Sequence, residues 1–144
     1  MAASKHHVTR REAEAVLTFA EKVRDQLGLP AWRFAVLEEP AGDDALASID
    51  TVSGRWVAEL RLCEGWMKLP ADERRNTIVH EVCHLLHVGV NHVIEDAQHL
   101  MHDHEWETLN AQYHRATEYM VDHLAGFLDA HYQLQEAWDA AHQR

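Results

Sequence analysis

His80-Glu81-Val82-Cys83-His84 sets two imidazoles four residues apart with a carboxylate directly after the first. On a helix this spacing stacks both rings one turn apart on one face, where two neutral nitrogens can reach a single zinc ion. Glu81 then lies close enough to take a proton from a water that the metal activates. The surrounding residues read as helix. Pro70 suits a first helical position, Asp72 and Glu73 fall where the helix dipole favours negative charge, and Gly89 is the expected stop. Ile78, Val79, Val82, Cys83, Leu85 and Leu86 recur at three- and four-residue spacing as a core face, which leaves His80, His84 and His87 on the other side. Ligands held on a helix whose back is packed have a fixed backbone, and a metal site requires that rigidity.

Two histidines do not close a catalytic zinc site, which takes a third protein ligand and leaves the fourth position to water. Glu118 and Asp122 stand four residues apart, so both carboxylates share one helix face. Glu118 is the candidate third ligand. Asp122 is the candidate acceptor for the outer nitrogen of a ligating histidine, which fixes the tautomer. In a chain this acidic such a pair is ordinarily a solvated face, and the two-histidine helix upstream is what singles this one out. His87, His92, His99, His102, His104 and His114 are alternative third ligands, or members of a second, adventitious metal site. His114, four residues before Glu118, is in addition a candidate transition-state hydrogen-bond donor, with Tyr113 and Tyr119 as weaker ones.

A formal net charge of -11 argues against binding a phosphate backbone, because Arg10-Arg11 and Arg74-Arg75 are too small to make a basic face. No nucleic-acid partner is expected. No apolar run reaches the ~18 residues of a membrane span, and Met1 to Val8 lacks the apolar stretch of a signal peptide. The expectation is a cytoplasmic protein with no membrane partner. Cys63 and Cys83 are too few for a disulfide framework, and both read as reduced packing residues, with a Cys63-Cys83 bridge as the alternative.

The elements that must carry these groups fit one domain spanning residues 1–144, with residues 1–7 expected to lack fixed structure. Residues 9–27 read as an amphipathic helix capped by Thr9 with Glu12 three residues on, striped by Ala13, Val16, Leu17, Ala20 and Val23, and ended by Gly28-Leu29-Pro30. Strands follow at 32–37, 45–52 and 55–62, the last two joined by a tight turn at Ser53-Gly54. In the third strand Trp56, Ala58, Leu60 and Leu62 alternate with Arg55, Val57, Glu59 and Arg61, as in a sheet with one wetter face. After the motif helix come a short helix at 93–101 and a long one at 105–131 that runs on towards Trp138. Its stripe is Trp106, Leu109, Tyr113, Ala116, Met120, Leu124, Phe127 and Leu128. The expected fold is α+β: an N-terminal helix, a three-stranded mostly antiparallel sheet, the motif helix and a helical C-terminal part.

His80-Glu81-x-x-His84 followed by Glu118-x-x-x-Asp122 resembles the gluzincins, the thermolysin-like zinc peptidases, and the small size is similar to their minimal one-domain members. The order of elements is shared over roughly residues 32–128. The resemblance implies a zincin-like fold, zinc bound by His80, His84 and Glu118, Glu81 as the base, and Asp122 behind the ligands. Ala116-Thr117-Glu118 with Leu124-Ala125 is also faintly similar to the ImmA/IrrE group, whose members act on repressor proteins. Thr117 stands where many gluzincins have Asn. His87 and Val90 stand where metzincins carry Gly and a third His, which removes that clan. The expected function is therefore zinc-dependent hydrolysis of peptide bonds in a peptide or protein substrate, with Glu81 as general base. Residues 55–62 are the expected sheet edge for an extended substrate. The alternatives are a regulatory protein that keeps the fold and zinc without turnover or with one narrow target, and a His-rich metal-binding protein in which the motif is incidental. Oligomeric state and substrate sequence are left open by the pattern.

Overall fold

Thr9 is extended, and its hydroxyl accepts the Glu12 N–H at 3.1 Å, so the first predicted helix begins where expected and forms α1, Arg10–Gln26. Gly28, at φ +71°, closes it, a conformation that costs glycine nothing. The buried stripe is Ala15, Val16, Phe19, Ala20 and Val23, turned slightly from the expected one, with Leu17 and Ala13 only half-buried. The computed structural model describes residues 7–144. The expectation for residues 1–6 lies outside these. His7, the first described residue, has its Nε2 2.9 Å from the carbonyl of Leu62.

The three strands form as β1 (Arg33–Val36), β2 (Ala47–Thr51) and β3 (Val57–Leu62). Gly54, also at φ +71°, turns β2 into β3, which pair antiparallel with Ala47 opposite Leu62 and Ile49 opposite Leu60. β1 instead pairs parallel with β3, Arg33 opposite Val57, so the strand order is β1-β3-β2 and the sheet is mixed rather than mostly antiparallel. The connection after β1 is long enough to cross the sheet before the hairpin begins, which a tight turn would not allow. One expectation is overturned here: β3 has a neighbour on both sides and offers no free edge, while β2 does. Ala58, Leu60 and Leu62 face the core as the alternation predicted, but Trp56 is exposed beyond the strand and meets Trp32 edge-on at 5.2 Å.

A 3₁₀ turn at Trp66–Lys68 leads to α2, Ala71–Cys83, which starts behind Pro70. Gly89 does not stop the helical path. The chain tightens into a 3₁₀ turn at His84–His87 and continues as α3, Val88–Ala97, because Gly89 keeps negative φ, unlike Gly28 and Gly54. The short helix therefore starts earlier than the expected 93, and a 3₁₀ turn, Gln98–Leu100, follows it. α4, Asp103–His131, opens with the His102 N–H donating to Glu105 at 3.2 Å. It does not run on to Trp138: Tyr132 is extended, and α5, Leu134–His142, folds back so that Trp138 meets Phe19 edge-on at 5.1 Å. The buried side of α4 is Thr117, Val121 and Leu128, whereas Met120 and Phe127 of the expected stripe are exposed. The whole is an α+β domain with its core between the sheet, α1, α2, α5 and the second half of α4. Cys63 and Cys83 are both free. Among the described residues, no helix is long and apolar enough to cross a membrane.

Sequence reading missed one buried polar assembly. Glu12, expected at a helix cap, is only 4% exposed and turns inward, accepting from Trp66 Nε1 at 2.9 Å and Arg74 Nη1 at 2.5 Å, with His142 Nε2 at 2.9 Å. It ties α1 to the 3₁₀ turn at Trp66, to α2 and to α5, and its partners satisfy the carboxylate that burial would otherwise penalise.

Candidate metal centre

α2 buries Ile78, Val79, Val82 and Cys83 and so presents His80 and Glu81 to a cleft of about 840 Å³ between α2, β2 and α4. His84 enters the same cleft from the first residue of the 3₁₀ turn, and its Nε2 lies 3.2 Å from His80 Nε2. Ligand atoms of His80, Glu81 and His84 all lie within 4.8 Å of one another, a cluster that could hold a metal ion. The carboxylate nearest the two ring nitrogens is nevertheless that of Glu118. One of its oxygens is 3.1 Å from His80 Nε2 and the other 3.2 Å from His84 Nε2. In a tetrahedral zinc site with bonds of about 2.0–2.2 Å, neighbouring ligand atoms stand about 3.3–3.5 Å apart. The two imidazoles and Glu118 are within a few tenths of an ångström of that spacing, and their donor types fit zinc. Glu81 belongs to the cluster with the two histidines, and Glu118 meets the same two ring nitrogens from α4.

The tautomers suit this arrangement. His80 Nδ1 is 3.0 Å from Asp122 Oδ1, so the ring donates its Nδ1–H to the carboxylate and turns the Nε2 lone pair towards His84 and Glu118. Burial lowers the His84 pKa first of all, helped by the neighbouring His80 and His87 and opposed by Glu118 and Asp122, so the neutral, ligating form is favoured. Glu81 moves the other way. Burial, with the charge of Glu118 and to a lesser degree Asp50, pushes its carboxyl up to about 8, against a lowering hydrogen bond from the Ile49 backbone. A dication in the cluster opposes these causes, because it attracts the carboxylate that Glu118 repels.

Every residue proposed from the motif pattern thus reaches one place: His80, Glu81, His84, Glu118 and Asp122 line the cleft together. His114 lines it too, but contributes no ligand atom to the histidine cluster and leans on Tyr113 at 6.2 Å between centroids. His92, His99, His102 and His104 are exposed and are not among the residues lining the cleft. Sequence reading did not find Leu46 and the β2 residues Ala47 to Ile49 as a wall, or Asn91, which accepts a hydrogen bond from the Tyr113 hydroxyl at the cleft. The tight turn at Ser53-Gly54 marked a strand over 45–52, but only the tertiary packing sets it against α2. Comparison with protein-family models, curated proteins and solved structures gives no match.

Proposed function

We propose that this protein is a zinc-dependent peptidase with a zincin-like fold. The observation that supports it most is the convergence of His80 Nε2, His84 Nε2 and the Glu118 carboxylate at 3.1–3.2 Å from one another, with Glu81 alongside. His80, His84 and Glu118 would hold the metal, and Asp122 orients His80. A bound zinc supplies Lewis acidity, acidifying water and polarising a substrate carbonyl. Glu81 then accepts the proton at its carboxylate as water attacks and delivers it to the departing amine. The Ile49 backbone holds Glu81 in place by the hydrogen bond noted above. The free edge of β2 borders the cleft, so an extended substrate would add to the sheet there and lay its scissile bond over the triad.

The test compares wild type with Glu81→Gln. The amide keeps the side-chain shape but cannot take up the proton. We expect one zinc per chain in both forms, equal melting temperatures, and cleavage of an unfolded protein substrate by wild type alone. Equal cleavage by both would place the base elsewhere. Zinc held by both with no cleavage of a broad peptide library would replace this reading with that of a non-catalytic regulator.

A further inference from the structure

Charge inside the cleft is of one sign. Asp44, Glu118, Asp122 and Asp129 line it together with Glu81, while no Lys or Arg is among its lining residues. A divalent ion held by His80, His84 and Glu118 offsets part of this charge and leaves the cleft anionic. The two carboxylates that lie away from the histidines matter most for an incoming chain. Asp44 stands on the exposed turn before β2, and among the described residues it has no ion pair. Asp129 lies about 16 Å along α4 from Glu118 at 1.5 Å per residue, a span that about five residues of extended chain cover. It shares its charge with Arg75 at 3.6 Å, and half of its side chain stays exposed. Beside it the wall is thin: Ala125 and Gly126 line the same stretch, and a methyl group at Gly126 would meet nothing else within 4 Å. A long side chain has room here.

On the peptidase reading, on which this rests, we infer that the substrate is a basic chain cut internally, with Lys or Arg side chains directed towards Asp44 and Asp129. A strand added at the free edge of β2 sends every second side chain to the same face, so alternate residues of the substrate share the cleft. Walls of one sign concentrate the field between them, and the net charge of -11 adds attraction for cations at longer range. Acidic substrates are rejected by the same groups. Each carboxylate brought in meets like charge and finds no Lys or Arg in the cleft to pair with. A terminal carboxylate close to the scissile bond is disfavoured for this reason, which separates internal cleavage from trimming at the C-terminus.

Binding is read by calorimetry on zinc-loaded Glu81→Gln, which holds a peptide without turning it over. The probes are three acetylated and amidated peptides of equal length that alternate Thr with Lys, with Gln or with Glu. The Lys peptide should bind about 10-fold more tightly than the Gln peptide at ~50 mM salt and lose most of that advantage at ~0.5 M, and the Glu peptide should bind weakest. Wild type should cleave them in the same order of kcat/KM. Asp44→Asn should reduce the Lys advantage by about two- to five-fold, as loss of an exposed charge pair does. Gly126→Lys, which sets a cation in the cleft, should abolish it, while Asp43→Asn removes a neighbouring charge that does not line the cleft and should leave it unchanged. Zinc content and the far-ultraviolet spectrum are measured for each variant. Equal binding of the three peptides, a preference for Glu, or an effect of Asp43→Asn as large as that of Asp44→Asn would overturn the assignment, even where zinc is held and an unfolded protein is cleaved. A Lys preference in Glu81→Gln with no cleavage by wild type would instead overturn the peptidase reading and leave a cleft that binds basic peptides.

Discussion

His80 has each ring nitrogen assigned by a different neighbour, Nδ1 by Asp122 at 3.0 Å and Nε2 by His84 and Glu118 at 3.1–3.2 Å. Asp122 is therefore a positioning group, and Asp122→Ala should weaken zinc affinity by about 10- to 100-fold, as losses behind a metal ligand do. His80→Ala or His84→Ala should abolish stoichiometric binding, and Glu118→Ala should fall between. Competition with a chromogenic chelator measures all four, and wild-type affinity in Glu118→Ala would remove it from the ligand set. Glu81 gives a pH signature in chelator-treated protein. Its folded pKa of about 8 lies above the ordinary carboxylate value of 4.5, so between these limits the unfolded chain releases a proton that the folded chain keeps. Stability contributed by this group is present below pH 4.5 and is lost as pH rises to 8. The melting temperature of metal-free wild type should fall across this window more than that of Glu81→Gln, and parallel curves would contradict the burial of the carboxyl.

At the scale of elements, α1 and α5 are joined through a side chain whose local role looked like helix capping. Glu12 accepts from Trp66 and Arg74 and lies 2.9 Å from His142, and the Arg74 guanidinium also lies over the Trp138 ring at 5.8 Å. Removing the carboxylate strands Arg74, whose Nε already lacks a partner, in a largely buried setting. Glu12→Ala should therefore destabilise by about 3 kcal/mol, as breaking a buried pair does. Glu12→Gln should cost less, because its amide oxygen still accepts from Trp66. Urea unfolding measures both, and a change near zero in Glu12→Ala would mean that α5 is not fastened through this residue. The 3₁₀ turn at His84–His87 matters for a different reason: it redirects the chain at the second histidine, so α3 leaves beside the cleft without burying a residue of its own.

For the whole molecule, a metal held as proposed would be linked to the fold, because His80 and His84 come from one helical path and Glu118 from another 34 residues later. An ion that binds all three joins α2 to α4 and binds the folded chain alone. At free zinc about 100 times the dissociation constant the gain is about 2.7 kcal/mol, on the order of 10 °C in melting temperature for a chain of this length. Calorimetry with zinc and with chelator checks this, and identical transitions would separate the metal from the fold. The sequence by itself determined which side chains share the candidate cluster and most of the elements, since both depend on neighbours along the chain: His80 and His84 share a face by helical pitch, Glu118 and Asp122 do likewise, Thr9 caps and Gly54 turns. It also carried a correct alternation in β3. What it could not carry was any choice between equivalent partners. Whether β1 lies beside β2 or β3, and hence which strand edge is free, depends on a long connection whose path no local preference specifies. Two apolar lines run along α4, one through Met120 and Phe127 and one through Val121 and Leu128, and spacing alone ranks them equally. Packing against α2 buried the second, and the inward turn of Glu12 was decided in the same way, because burial is settled by the partners that arrive from elsewhere in the chain.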